Sequence, residues 1–325
     1  MNEPIRLRDS RDDRVALITA TSDHFKIPAE FVEKDFWVVE ALRSLYKTSH
    51  QDSVLEATQI VFKGGTSLSK GLKLTRRFSE DVDILIVPPS EFGAGRIDGI
   101  LKLLVVEVTK HLGLTTESVE VISTKGKKRN ARFHYAADYP ATIASQGVLL
   151  EMGIRGGTSP GLLPIPVMSF IAEYLGATNQ FGNFIEEKSV ETLVLDPVRT
   201  LFEKLCALHT AAMKVGNGKN RNMAKAGRHY YDVHALLNSN AVLEGLKVAP
   251  RVAILEEIKT ISLEEGWEFF DSPSGGFAES PAFQMEGLVG EMAQRSYEES
   301  SALFYGEPPL FEECLMIAHA NSYLL

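Results

Sequence analysis

Cysteine is almost missing from this chain: Cys206 and Cys314 are its only two in 325 residues. That usage fits a reducing cytosol, and no disulfide is expected. No stretch of eighteen or more apolar residues occurs, so no transmembrane helix is expected. The opening segment MNEPIRLRDSRDDR is polar and mixed in charge, without the hydrophobic centre of a secretory signal; a cytoplasmic protein without a membrane association is expected. Internal repeats and low-complexity tracts are absent. His229 and His234 are five residues apart and cannot share a helix face, which argues against a histidine zinc site. The GNGKN segment at 216–220 is no Walker A loop, because its second glycine comes too early and no strand precedes it.

Positive charge is also scarce overall, with a net charge of −9, yet it is unevenly spread. Lys125–Arg132 (KGKKRNAR) and Lys214–Arg228 (KVGNGKNRNMAKAGR) each hold five basic residues and no acid. Taking those ten out leaves 24 basic against 43 acidic residues. Two basic patches on an acidic body suit a polyanion held at one place, the bland alternative being two solvated loops.

The informative stretch is VFKGGTSLSKGLKLTRRFSEDVDILIVPP, residues 61–89. It reads as a strand ending at Gly64-Gly65, a helix capped by Thr66 or Ser67, a loop, and a strand from Asp81 to the Pro88-Pro89 stop. Side chains alternate along a strand, so Asp81 and Asp83 share one face and Val82 and Ile84 the other. Paired carboxylates on one face are favourable with a divalent cation between them. The helix N-terminus just upstream offers N–H groups to phosphate. Together these outline a phosphoryl- or nucleotidyl-transfer site. Glu151, the one acid in the apolar strand GVLLEMGI, is costly there unless paired or metal-bound; a strand-edge position facing solvent is the alternative.

The run Gly64-Gly65-Thr66-Ser67-Leu68-Ser69-Lys70 followed by Arg77-Phe78-Ser79-Glu80-Asp81-Val82-Asp83 resembles the signature of polymerase-β-type nucleotidyltransferases. More narrowly it resembles the AbiEii/AbiGii family of toxins from toxin–antitoxin and phage-abortive-infection systems. The resemblance extends to Glu33-Lys34-Asp35-Phe36-Trp37, to LDPVRTLFEKLCALH around Lys204, and to Arg228-His229-Tyr230-Tyr231-Asp232. It implies an α/β (α+β) fold: a polymerase-β-like core of mixed sheet and helices, followed by a C-terminal helical domain. The expected domains are 1–190, with a helical segment at 1–57, and 191–325, which would complete the active site and the acceptor groove.

On that resemblance Asp81, Asp83, Lys204, Asp232 and Ser79 are the expected catalytic residues. Gly64, Gly65, Thr66, Ser67, Lys70 and Arg77 would bind the nucleotide. Asp81, Asp83 and Glu151 would hold Mg2+ or Mn2+. Without the resemblance, Lys204 reads as half of a surface charge pair with Glu203, Asp232 as a same-face partner of Arg228 one turn away, and Glu33 to Asp35 as a charged helix face over a buried Phe–Trp pair. With it, Lys34 leans toward the nucleotide.

Elsewhere, residues 23–46 carry apolar residues at helical spacing with Pro28 in the first turn of a helix starting near Ile27, 98–112 read as a helix, Glu117–Ser123 and Arg132–Tyr139 as a hairpin with KGKKRN at its tip, and Thr158–Pro166 as a Gly/Pro-rich loop. Asp196-Pro197 opens a helix. The activity implied by resemblance is transfer of a nucleoside monophosphate from an NTP to an RNA, the tRNA 3′ end above all, blocking translation. Lys125, Lys127, Lys128, Arg129, Arg132, Lys219, Arg221 and Lys225 would grip the RNA phosphates. The implied partner is a cognate antitoxin encoded nearby. Two alternatives share the motif: an antibiotic-type small-molecule nucleotidyltransferase, which needs an acidic pocket, and a non-catalytic nucleotide-binding partner protein.

Overall fold

β2 (Asp81–Val87) lies at the middle of a seven-stranded mixed sheet and carries the Asp-Val-Asp run at its first turn of pleat. A computed structural model describes residues 4–51, 53–79, 81–124, 127–143, 145–215 and 220–325. It divides into two compact units. The first comprises Met1–Leu72, Phe78–Arg155 and Leu163–Val194; the second comprises Lys73–Arg77, Gly156–Leu162 and Leu195–Leu325.

In the first unit β1 (Gln59–Lys63) runs antiparallel to β2, with Lys63 opposite Asp83. On the other side β5 (Val148–Gly153) runs parallel to β2, with Glu151 beside Asp83. β4 (Lys128–Phe133) pairs antiparallel with β5, and β3 (Val119–Thr124) closes that edge. β7 (Val190–Leu195) lies parallel to β1, and β6 (Leu162–Val167) forms the opposite edge.

One sheet face is apolar. Ile60, Phe62, Val82, Ile84, Ile86, Leu150, Met152, Ala131 and Phe133 are buried on it. Helices α1 (Arg11–Phe25), α2 (Ala29–Gln51), α3 (Ser53–Glu56), α4 (Gly64–Thr66), α5 (Ala94–His111) and α6 (Phe170–Thr178) complete the unit, α2 and α5 packing on one another and on the strands. The helix expected to start near Ile27 is α2, which begins at Ala29 directly after Pro28, while α1 before it ends at Lys26 in a left-handed conformation (φ 56°). Its Glu33-Lys34-Asp35 run is no solvated face. All three are buried beside Phe36 and Trp37. Glu33 accepts from the N–H groups of Asp138 and Tyr139, Lys34 donates to the Ser145 carbonyl at 2.7 Å, and Asp35 accepts from Phe170 N–H. Lys34 is thus spent on the scaffold rather than turned to a ligand, because a buried ammonium must be paired where it lies.

Thr158–Pro166 is not all loop. Its second half is β6, which tolerates Pro164 and Pro166 because an edge strand has one unpaired side.

The second unit is helical. Asp196 caps α7 (Pro197–Met213) by accepting from Val198 N–H at 2.8 Å, with Pro197 at the first position. It is followed by α8 (Gly227–Leu237), α9 (Asn240–Val248), α10 (Arg251–Glu264), α11 (Gly287–Ser300) and α12 (Phe311–Ala320). Leu201, Leu205, Tyr230, Val233, Tyr297, Phe311 and Leu315 build its core. Gly227 lets α8 meet α11: a Cβ there would stand 2.0 Å from the Ser296 carbonyl oxygen. The segment Lys73–Arg77 joins this unit through Tyr305 N–H, which donates to the Arg76 carbonyl, and through Tyr231 Oη, which accepts from Arg76 N–H. Cys206 and Cys314 are buried free thiols. No helix among the described residues is long and apolar enough to cross a membrane.

Candidate active site

The alternation of β2 sets Asp81 and Asp83 half-buried on one face, with Val82 and Ile84 buried on the other. Gly64 follows β1 with φ of 74°, a conformation glycine adopts without penalty. A Cβ built there would stand 2.0 Å from Asp83 Oδ2. The second aspartate therefore lies directly against the glycine bend, in space that only glycine leaves open. Asp81 is held from two sides. Thr66 Oγ1 donates to its carbonyl at 2.5 Å, and Ser79 Oγ donates to its Oδ1 at 2.9 Å.

The helix starts at Gly64, earlier than the sequence suggests, and continues through a wider turn, Ser67–Gly71. Thr66 and Ser67 are consequently not its caps: Ser67 Oγ donates to the Gly64 carbonyl at 2.9 Å and is fully buried. What Gly64 and Gly65 present at the helix start is backbone, whose first N–H groups have no acceptor one turn back.

Glu151 shares the dyad's face, one strand over from Asp83. Its Oε2 is turned to Lys128 Nζ at 3.4 Å. Among the described residues no three His, Cys, Asp or Glu side chains converge closely enough to hold a metal ion. The chemistry of the pair Asp81 and Asp83 still fits a hard cation that takes its remaining ligands from phosphate and water, the usual arrangement of Mg2+.

Two of the expected phosphate-binding cations are placed otherwise. Lys70 is buried, 2.9 Å from Asp35 and 3.7 Å from the centre of the Phe170 ring. Arg77 makes a two-pronged pair with Asp232, Nε to Oδ1 at 2.6 Å and Nη2 to Oδ2 at 2.9 Å. A lysine or arginine at such depth is retained by its counter-ion, and removing either partner strands the other. Neither acid is a sequence neighbour, so the partner could not be read locally.

Lys204 and Asp232 do come together, at 3.3 Å in the second unit. Lys204 also meets His229 Nδ1 at 3.1 Å. Burial, opposed by the neighbouring Arg77 and Lys204 charges, would raise the Asp232 carboxyl; the two cations win and hold it far below the usual range. Burial and then Lys204 push His229 down to about 4. His229 is thus neutral at pH 7 and accepts from the lysine.

The basic residues separate by strand alternation. Lys128 and Arg132 lie on the dyad's face, Arg132 donating to the Gln146 carbonyl at 3.2 Å. Arg129 points through the other face to Asp98 of α5 at 3.0 Å. The return strand starts four residues earlier than expected, so Lys128, Arg129 and Asn130 are strand rather than tip. Lys127, Arg221 and Lys225 are exposed. Lys125 and Lys219 lie outside the described residues. Asn130, unremarked in the sequence, pairs with Glu151 on the dyad's face.

JHP933 from Helicobacter pylori is similar in structure, with 14% identity and a TM-score of 0.39, covering 90% of this chain and 96% of its own. A second H. pylori crystal structure, provisionally described as of a nucleotidyltransferase, gives 15% identity and a TM-score of 0.32, covering 85% and 98%. No curated protein matches the sequence. The sequence model of the AbiEii family, described as the nucleotidyl transferase AbiEii toxin of a type IV toxin–antitoxin system, matches residues 51–316, which include the glycine bend, the aspartate pair, Lys204 and Asp232. With most of its length matched, the chain belongs to the AbiEii family of nucleotidyltransferase toxins.

Proposed function

We propose that this nucleotidyltransferase moves a nucleoside monophosphate from an NTP to the 3′ end of an RNA, a tRNA above all, and so blocks translation. The observation that carries the reading is the contact of Asp83 with the Gly64 bend, beside an Asp81 locked by Ser79 and Thr66. A carboxylate pair next to the glycine bend that starts a helix suits a triphosphate bound through both its charge and its oxygens.

In the reaction the acceptor hydroxyl attacks the α-phosphorus. The new P–O bond forms as the bond to pyrophosphate breaks, and the hydroxyl proton leaves with solvent. Bound Mg2+ or Mn2+ supplies Lewis-acid stabilisation and a more acidic acceptor hydroxyl. Asp81 and Asp83 would hold the ion, and Ser79 keeps Asp81 from rotating away. Gly64 and Gly65 orient the phosphates. Lys204 and Asp232 serve the same transfer, the lysine as a charge for the departing pyrophosphate and the aspartate as the anion that fixes it. Lys128 and Arg132 contact acceptor phosphates. The exposed Lys127, Arg221 and Lys225 extend that grip. An antitoxin encoded nearby would be the physiological counterweight.

The test is incubation of the protein with total RNA and each labelled NTP in turn, with and without EDTA. Label in the tRNA band that EDTA abolishes supports the reading. Label on an aminoglycoside and none on RNA would replace it with a small-molecule activity.

A further inference from the structure

The strand register sets four polar residues in one row across the sheet: Lys63 on β1, Asp83 on β2, Glu151 on β5 and Asn130 on β4. Neighbouring strands are about 4.8 Å apart, so Asn130 stands roughly 10 Å from Asp83 with Glu151 between them. Asn130 is only 6% exposed. Its Oδ1 is buried and has no hydrogen-bond partner among the described residues. Buried side-chain amides are nearly always satisfied, and one that is not costs stability. Its polar neighbours are already engaged, Glu151 with Lys128 and Arg132 with the Gln146 carbonyl. A leucine of similar shape would fill the site without an unmet group, so packing alone does not call for an amide.

The position of the row suggests what the amide meets. Its β1–β2 end borders the glycine bend, where the triphosphate is seated in the reading above. Its β5–β4 end is therefore the acceptor side. An RNA 3′ end brings two adjacent hydroxyls: one attacks phosphorus, and the other sits beside it on the ring. A hydroxyl both donates and accepts, so it satisfies a carboxamide in either orientation. It is also the group that separates RNA from DNA.

We propose that Asn130 binds the 2′-hydroxyl of the acceptor's terminal ribose and makes the enzyme selective for a ribonucleotide end. The inference rests on the RNA-transfer reading of the same site. Its test compares a tRNA with the same tRNA ending in a 2′-deoxynucleotide, each with labelled NTP and Mg2+. The wild-type protein prefers the ribose end by about tenfold to a hundredfold in kcat/KM, the factor for leaving a buried polar group unpaired. In Asn130→Leu that preference falls to within about twofold of unity, while Asn130→Ser, which keeps a hydroxyl, retains part of it. Asn130→Leu also melts no lower than wild type, whereas an amide needed for the fold would lose stability. A wild-type ratio near one overturns the inference whatever the variants do, and so does an unchanged ratio in Asn130→Leu. If the wild-type protein labels neither tRNA, the proposed function itself has failed.

Discussion

Gly64→Ala is the sharpest perturbation available, because its two costs are separable. The first is backbone: φ is 74°, and a side chain in left-handed conformation costs about 1–2 kcal/mol. The second is contact: the new methyl carbon would fall 2.0 Å from Asp83 Oδ2, so the carboxylate must swing off the bend. Displacing a carboxylate and its neighbours from a filled site adds about 1–3 kcal/mol, as overpacking does. Together the loss is on the order of 2–5 kcal/mol, or several degrees in Tm for a protein of this size. Activity should fall further than stability, by about a hundredfold or more, since misplacing a reacting group by an ångström costs that much. The assay is a double-mutant cycle in urea with Asp83→Ala. Removing the Asp83 carboxylate removes the severe part of the clash and leaves only the Asp83 Cβ at 3.1 Å, so the cost of Gly64→Ala shrinks toward its backbone part and the coupling is at least about 1 kcal/mol. Equal costs in the two backgrounds, or full transfer activity in Gly64→Ala, would refute the claim that the bend and the aspartate touch.

Other expectations follow from the charged groups. Arg77→Ala leaves the fully buried Asp232 with Lys204 as its remaining cation and should cost toward the lower end of about 3–5 kcal/mol in chemical denaturation, with Arg77→Lys recovering only part because it cannot make both bonds. His229 is held near 4, so the unfolded chain takes its proton first; stability present above about pH 6.5 is lost as pH falls toward 4, by about 1–3 kcal/mol, and His229→Gln should flatten that part of the profile. Lys128→Ala and Arg132→Ala should each lower the salt dependence of tRNA binding by roughly 0.7–0.9 in log–log slope, whereas Arg129→Ala should leave the slope and reduce stability, its guanidinium being engaged with Asp98.

The dyad was legible because strand alternation is local: two aspartates two apart must share a face, and the proline pair fixed where the strand stops. Asp196-Pro197 was legible for the same reason, since a cap and a proline act within one turn. The partners of Lys70 and Arg77 were not. Asp35 and Asp232 are brought to them only by tertiary packing, and a lysine beside a glycine turn looks the same whether it faces phosphate or a buried acid. β6 was hidden by its prolines, which are tolerated only because the strand lies at the edge, a fact of topology. The basic run at 125–132 misled in another way. Counting charges along the chain ignores that a strand sends alternate ones to opposite faces, and here Arg129 went to the helix side. Asn130 left no signal, because an asparagine in a basic hairpin reads as a turn residue until the register sets it opposite Glu151.

The central claim is that Asp81 and Asp83 act together beside the glycine bend in a metal-dependent transfer. Its most direct measurement is the rate at which purified wild-type, Asp81→Ala and Asp83→Ala proteins transfer labelled nucleotide to tRNA across a Mg2+ titration. The account predicts Mg2+-dependent labelling by the wild type and loss of at least about a hundredfold in each variant, the range for removing one group that stabilises transition-state charge. A variant of either aspartate that labels tRNA at the wild-type rate would contradict it.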